Sequence, residues 1–93
     1  MENLLSSEEW LTRIGDAVRT LRLSSNLGQI ELAGRAGVSR TAVQNLESGH
    51  GTLSTLVRLV RALGREDGLQ SLANQPTINP LHLVHHAQPR QRA

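Results

Sequence analysis

Residues 29–48 read QIELAGRAGVSRTAVQNLES, and this stretch predicts two short helices joined by a tight turn. Its apolar residues recur at the three-and-four spacing of a helix face in two runs: Leu32, Ala33 and Ala36, then Val43 and Leu46. Between the runs, Gly37 suits the left-handed position that ends a helix, and Ser39 suits the position that caps the next one. Val38 and Val43 have the spacing of a hydrophobic staple, which would fix the angle of the second helix. We therefore expect a helix-turn-helix.

The same stretch resembles the λ-repressor-like, or XRE-type, transcription regulators. Counted from Gln29, the family pattern has a small residue fifth, glycine ninth, and apolar residues tenth, fifteenth and eighteenth. This chain matches at all of these positions: Ala33, Gly37, Val38, Val43 and Leu46. The opening glutamine and the Leu-Glu-x-Gly ending at residues 46–49 also match, whereas Gly28 stands where the family usually has a capping threonine or serine. The resemblance extends more loosely over residues 6–72 and implies an all-α, five-helix DNA-binding domain.

Three further helices are expected around this motif. Ser6 and Glu9 have capping-box spacing, and an apolar stripe then predicts a first helix to about Leu23. The stripe comprises Trp10, Ile14, Ala17, Val18 and Leu21, and the charged residues placed on the other faces are Arg13, Asp16, Arg19 and Arg22. Thr52 can cap a fourth helix that Gly64 would end. Its apolar stripe comprises Leu53, Leu56, Val57, Val60 and Leu63. After a break at residues 65–68, a short fifth helix is expected over residues 69–73.

Several apolar residues favour a homodimer. Leu59 widens the stripe of the fourth helix towards a possible partner, and Leu69 and Leu72 of the fifth helix would carry the dimer contact or, equally, pack on the monomer core. A chain of 93 residues that is 38% hydrophobic has material for one core. A domain of this size buries only about 60% of its unfolded surface, so association would help it. Trp10 is expected to anchor the core or an interface rather than to stack on a base.

The distribution of charge points to the second motif helix. The net charge is only +2, and all ten basic residues are arginines, which suit bidentate contacts with phosphate and guanine. A GC-rich coding bias would give the same arginine preference. Residues 1–38 carry four arginines and five acids, whereas residues 39–65 carry four arginines and Glu47 alone. The positive excess therefore begins where the resemblance places the DNA-reading helix.

The resemblance implies that the helix over residues 39–48 enters the major groove of double-stranded DNA. With Val43 and Leu46 facing inward, its outward side chains would read the bases: Ser39, Arg40, Thr41, Gln44 and Asn45. An arginine suits the O6 and N7 acceptors of guanine, and a glutamine or asparagine suits N6 and N7 of adenine.

Three more residues are expected at the DNA. Gln29 would hold a phosphate or buttress the base-reading side chains. The resemblance places His50 and Thr52 against the DNA backbone, where the free amides and the dipole of a helix N-terminus favour phosphate. An ordinary loop between two helices is the alternative interpretation of this segment.

The chain divides into a helix-turn-helix domain over residues 1–73 and an extended or disordered tail over residues 74–93. Pro76, Pro80 and Pro89 preclude a continuous helix in the tail. Its aliphatic residues make it too apolar for a purely solvating linker: Ile78, Leu81, Leu83 and Val84. We expect residues 76–85 to become ordered on a second protein or across the dimer. This tail with its Arg-rich end resembles that of HipB-like antitoxins, which partner HipA-type kinase toxins.

Other function classes have little support. The absence of cysteine excludes disulfides and thiolate metal sites and is compatible with the cytoplasm. No long apolar run or leader is found, so neither a membrane span nor a signal peptide is expected. His82, His85 and His86 lack the scaffold of a metal site, and no cofactor is expected. Without Cys, Lys or Tyr, a small hydrolase is the least favoured hypothesis.

The leading hypothesis is a homodimeric transcription regulator, most simply a repressor, that reads a palindromic operator. The alternative is an antitoxin of a toxin–antitoxin pair, whose main task is to neutralise a kinase toxin and which binds DNA to autoregulate its operon.

Overall fold

The computed structural model describes residues 4–74, which form five α-helices and no strand. In chain order the helices are α1 (Ser7–Ser24), α2 (Gln29–Ala36), α3 (Arg40–Glu47), α4 (Leu53–Ala62) and α5 (Glu66–Ala73). The predicted all-α, five-helix fold is confirmed. Residues 75–93 lie outside the described residues, and they include the apolar segment and the three histidines on which the antitoxin and metal hypotheses depend.

The predicted helix caps are present. The Ser6 hydroxyl accepts the backbone N–H of Glu9 at 3.1 Å, and the Glu9 carboxylate accepts the backbone N–H of Ser6 at 2.8 Å, which completes a capping box. Ser39 accepts the N–H of Ala42, and Thr52 accepts the N–H of Thr55. These local bonds fix where α1, α3 and α4 begin.

Gly37 ends α2 in the left-handed conformation that the sequence predicts. Its φ and ψ are 71° and 34°, and its N–H donates to the carbonyl of Ala33. A side chain at this position would be strained. The chain can therefore turn within a few residues and start α3 at a fixed angle to α2.

The core lies where α1, α2, α3 and α4 meet. Its buried apolar residues are Val18, Leu27, Leu32, Ala33, Ala36, Val43, Leu46 and Leu59, with Val38, Leu56, Ala62 and Leu63 half-buried against them. Helix α2 packs on α3 and α4, α1 packs on α3, and α5 packs on α4. Both motif helices, α2 and α3, therefore pack on each other and on α4 around this core.

The expectation that Leu59 faces a partner is wrong. Leu59 is completely buried, and Thr55, one turn earlier, is buried with it. Leu53, which the sequence placed on the packed stripe, is 72% exposed. The apolar residues of α4 fit two neighbouring helix faces, and the contacts with the rest of the fold select the face centred on Leu59.

Helix α1 also turns a different face inward from the one expected. Its buried residues are Gly15, Val18 and Arg22, whereas Trp10 is 51% exposed and lies with its ring centroid 5.9 Å from the guanidinium carbon of Arg13. Trp10 is therefore not a core anchor within residues 4–74.

Helix α5 begins at Glu66, three residues earlier than predicted, and includes Gly68. Glu66 and Asp67 occupy its first turn, where acidic side chains interact favourably with the helix dipole. Residues 66–68, which were expected to belong to a break between α4 and α5, therefore form the first turn of α5.

Candidate nucleic-acid interface

Helix α3 presents a polar face opposite its buried one. Val43, Leu46 and Glu47 are buried, whereas the side chains on the other side are exposed: Arg40, Thr41, Gln44 and Asn45. Within residues 4–74, none of these four side chains makes a hydrogen bond to the protein. Their donors and acceptors are therefore free for a ligand, in the arrangement that the sequence predicts.

Ser39 and Thr52 are exposed, but their hydroxyl groups are used in caps. The Thr52 hydroxyl accepts the Thr55 N–H and donates to the Thr55 hydroxyl, both at 3.1 Å. The free donors at the start of α4 are instead the backbone N–H groups of Leu53 and Ser54, which find no partner in the described part of the chain. Any anion at this position would be bound mainly by the backbone.

His50 lies in the loop between α3 and α4. Its backbone N–H donates to the carbonyl of Asn45 at 2.8 Å, which holds the loop against the end of α3. Its exposed ring has Nδ1 3.4 Å from the Ser48 hydroxyl oxygen. The imidazole ring of His50 therefore lies in the loop that leads directly to the free backbone N–H groups of α4.

The N-termini of α2 and α3 lie side by side. Gln29, Ile30, Glu31 and Arg40 line an open cleft of about 300 Å³. Because Gly28 has no side chain, it cannot cap the first amides of α2, although Glu31 accepts the N–H of Gly28 at 3.0 Å. The positive end of α2 and Arg40 therefore line one cleft, where both favour an anion, and the Glu31 carboxylate lies in the same cleft.

A buried ion pair stands behind this surface. Arg22 donates from Nε to Glu47 Oε2 at 2.6 Å and from Nη2 to Glu47 Oε1 at 3.1 Å, and both side chains are almost inaccessible to solvent. Arg22 Nη1 also donates to the carbonyl of Leu27 at 2.9 Å, and Gln29 Nε2 donates to Glu47 Oε1 at 3.1 Å. The hydrogen bond to Glu47 raises the pKa of Arg22 against the opposing effect of burial. The pair joins α1, the α1–α2 loop, α2 and the end of α3.

A family model described as helix-turn-helix matches residues 18–68, which is more than half of the chain. The chain belongs to this family, the λ-repressor-like (XRE-type) helix-turn-helix proteins. It is accordingly a DNA-binding transcription regulator. The matched segment begins on α1 and contains both motif helices and all of α4. No curated protein gives a significant match.

In this helix-turn-helix protein, Gln29 bonds to Glu47 rather than to the side chains of the polar α3 face. Two roles were expected for Gln29, phosphate binding and support of the base-reading side chains. Its amide nitrogen supports the end of α3 through Glu47 and does not contact the base-reading side chains. Arg22, which the sequence placed on an outer face of α1, is instead buried, so that expectation is wrong. The signal was present, because Arg22 follows Gly15 and Val18 at helical spacing.

Gly15 sets the separation of α1 from α3 in this family member. A Cβ atom at Gly15 would lie 2.6 Å from the carbonyl oxygens of both Leu46 and Glu47. The side of α1 therefore touches the backbone at the end of α3, next to the ion pair. Only glycine permits that approach without a shift of one helix.

The helix-turn-helix protein has no helix within residues 4–74 that is long and apolar enough to span a bilayer.

Proposed function

We propose that a homodimer of this chain binds a palindromic operator with one α3 helix in each of two major-groove segments, and that it represses the adjacent promoter. The observation that supports this most directly is the outward face of α3, where four polar side chains have no hydrogen-bond partner in the described fold. Val43 and Leu46 hold the opposite face in the core. A rigid element with free hydrogen-bonding groups is suited to reading base edges.

Different residues would read bases and hold phosphates. Arg40 would donate to guanine, and Gln44 and Asn45 would each bond to an adenine. Phosphates would bind at two helix N-termini, one at α2 beside Gln29 and one at α4 with His50 nearby. Thr41 would add a hydroxyl contact. Ser39 and Thr52, whose hydroxyls cap α3 and α4, would lie next to the bound DNA and would position the free backbone N–H groups.

The dimer would form at the α5 end of the domain. Helix α5 has no buried residue, and Leu72 is 79% exposed on it. Pairing two domains there would cover apolar surface and would set the spacing of the two α3 helices. In this class of protein, half-sites lie about one helical turn of DNA, roughly 34 Å, apart.

The operator can be found by selecting bound sequences from a random DNA pool. The proposal expects an enriched palindrome with the stated half-site spacing. The selected sequence is then placed across a promoter in a transcription assay with the purified protein, and a scrambled sequence serves as the matched control. Reduced transcription from the operator template alone supports the repressor role. Increased transcription would overturn it, and a single unpaired half-site would overturn the dimer.

A further inference from the structure

An apolar groove runs between α1 on one side and α4 and α5 on the other. It has a volume of about 300 Å³, and most of its lining is apolar, including Ile14, Ala17, Leu21, Leu56, Val60 and Leu69. Helix α1 packs mainly on α3, and α5 packs on α4, so the two sides of the groove belong to different helix pairs. The face of α1 that the sequence predicts to be buried is the face that this groove leaves open.

We propose that residues 78–84 of the same chain occupy this groove. Helix α5 lines the groove and ends at Ala73, and Asn74 continues in an extended conformation, with φ −65° and ψ 135°. Ile78 follows Asn74 by four residues. Four residues of extended chain reach at most about 14 Å, which is short enough for the apolar part of the tail to enter the groove from the end of α5.

The chemistry of the segment matches that of the groove. Ile78, Leu81 and Val84 are three residues apart, a spacing that places side chains on one side of a polyproline-type chain. Pro80 within the segment favours that conformation and has no N–H to leave unbonded in an apolar site. Arg65 and Asp67 also line the groove. Arg65 can donate to backbone carbonyl groups of the segment, and Asp67 can accept from its backbone N–H groups.

The length of the segment also fits. Ile14 and Leu21 mark positions along the α1 wall that are seven residues apart, which corresponds to about 10 Å of helix. Residues 78–84 in a polyproline-type conformation span roughly 20 Å, enough to follow that wall. A tether of a few residues gives the segment an effective concentration on the order of millimolar at the groove. It therefore has an advantage over a second chain that must bind from solution.

Docking in this groove does not depend on the proposed repressor function. Leu72, which the proposed dimer contact uses, also lines the groove, so the two surfaces meet at that residue. Operator binding measured on the same samples reports on the function, so either idea can fail alone.

A spin label provides the test because the chain has no cysteine of its own. In the full chain carrying Gln88→Cys with the label, the proposal expects broadening of the backbone amide signals of Ile14, Ala17 and Leu69. Leu81→Asp in the tail and Ala17→Glu on the groove wall should each weaken the broadening to the low level that a tethered but undocked tail produces. The matched controls Asn79→Asp and Thr20→Glu introduce the same charges away from the contact and should retain it.

Two further measurements complete the test. Amide exchange in residues 78–84 of the unlabelled full chain should be slowed by about tenfold or more relative to an unstructured peptide, at all protein concentrations. Mixing spin-labelled unenriched chain with unlabelled isotope-enriched chain should give no broadening. Broadening in that mixture would assign the groove to a second copy and overturn the proposal. Broadening in the labelled chain that Leu81→Asp and Ala17→Glu leave unchanged would also overturn it.

Discussion

Arg22 near the end of α1 and Glu47 at the end of α3 form a bidentate ion pair in the interior, with Nε and Oε2 2.6 Å apart. Leu27 and Gln29 add further hydrogen bonds, one from Arg22 Nη1 to the Leu27 carbonyl and one from Gln29 Nε2 to Glu47 Oε1. Removal of one charge from such a pair leaves the other buried without a partner, which costs far more than the net stabilisation by the intact pair. The pair therefore fixes the position of α3 relative to α1 and α2.

Arg22→Met should lower the free energy of unfolding by about 3 to 5 kcal/mol, because Glu47 remains buried without its counter-ion. The matched control is Arg61→Met, since Arg61 and Glu66 are also 2.6 Å apart but are 67% and 60% exposed. Solvent screens that pair, and its loss should cost at most about 1 kcal/mol. Denaturant unfolding measures both. Equal losses in the two variants would contradict a special role for the buried pair.

The double variant Arg22→Met/Glu47→Leu should be more stable than Arg22→Met alone, because no unpaired charge remains. The pH dependence has a defined sign. The pKa of Arg22 is raised in the folded protein, so its contribution is fully present below the ordinary pKa of arginine and is lost only as the pH rises through the folded value. Titration of Arg22 should therefore add no pH dependence to stability between about pH 7 and 9.

Gly15→Ala and Gly34→Ala should have opposite effects on stability. A Cβ at Gly15 would clash with backbone oxygens of α3, whereas a Cβ at Gly34 in α2 would have nothing within 4 Å. Gly34→Ala should stabilise by about 0.5 to 1 kcal/mol through helix propensity. Gly15→Ala should destabilise by about 1 to 3 kcal/mol, since one helix must move. Thermal unfolding compares the two, and stabilisation by both would show that α1 can shift freely.

The local parts of this structure could be predicted from the sequence, because their signals lie within a few residues of the chain. Gly37, Ser39 and Thr52 each act on a backbone group within four residues, and each has the predicted role. The polar face of α3 was predictable for the same reason, because Val43 and Leu46 mark the buried face of the helix and the polar face is the opposite one. Base or phosphate contact by these residues remains a prediction.

The errors concern contacts between distant segments. Arg22 meets Glu47 across 25 residues, and Gly15 touches the end of α3 at a similar separation. The face of α4 is selected by packing against α2 and α3, which places Leu59 inside rather than at an interface. Apolar spacing within one helix gives two acceptable faces in such cases, and only the tertiary contacts distinguish them.

Gln44→Ala and Asn45→Ala should each weaken binding to the selected operator by about 1 to 3 kcal/mol and relax the preference at one base position. Both side chains are exposed and lack hydrogen bonds within residues 4–74, so their removal should leave the fold intact. Thr20→Ala, at an exposed position on α1, is the control and should leave affinity unchanged. Binding is measured on the operator and on a scrambled duplex at fixed salt. Equal weakening on both duplexes would mean that the residue contacts the phosphate backbone.

Leu72→Asp should weaken the proposed dimer while leaving the domain folded, because its side chain is largely exposed and a charge there would be desolvated only at an interface. The control is Leu23→Asp on α1, another exposed leucine, at 52%. Sedimentation should show that dissociation of the Leu72→Asp dimer occurs at a higher protein concentration than in the wild type or the control. For a dimer contact, the Tm difference from the wild type should depend on protein concentration, since association is linked to folding by mass action. A Tm that falls equally at every concentration would instead assign Leu72 to the fold of the monomer, and operator binding by a stable monomer would exclude this contact altogether.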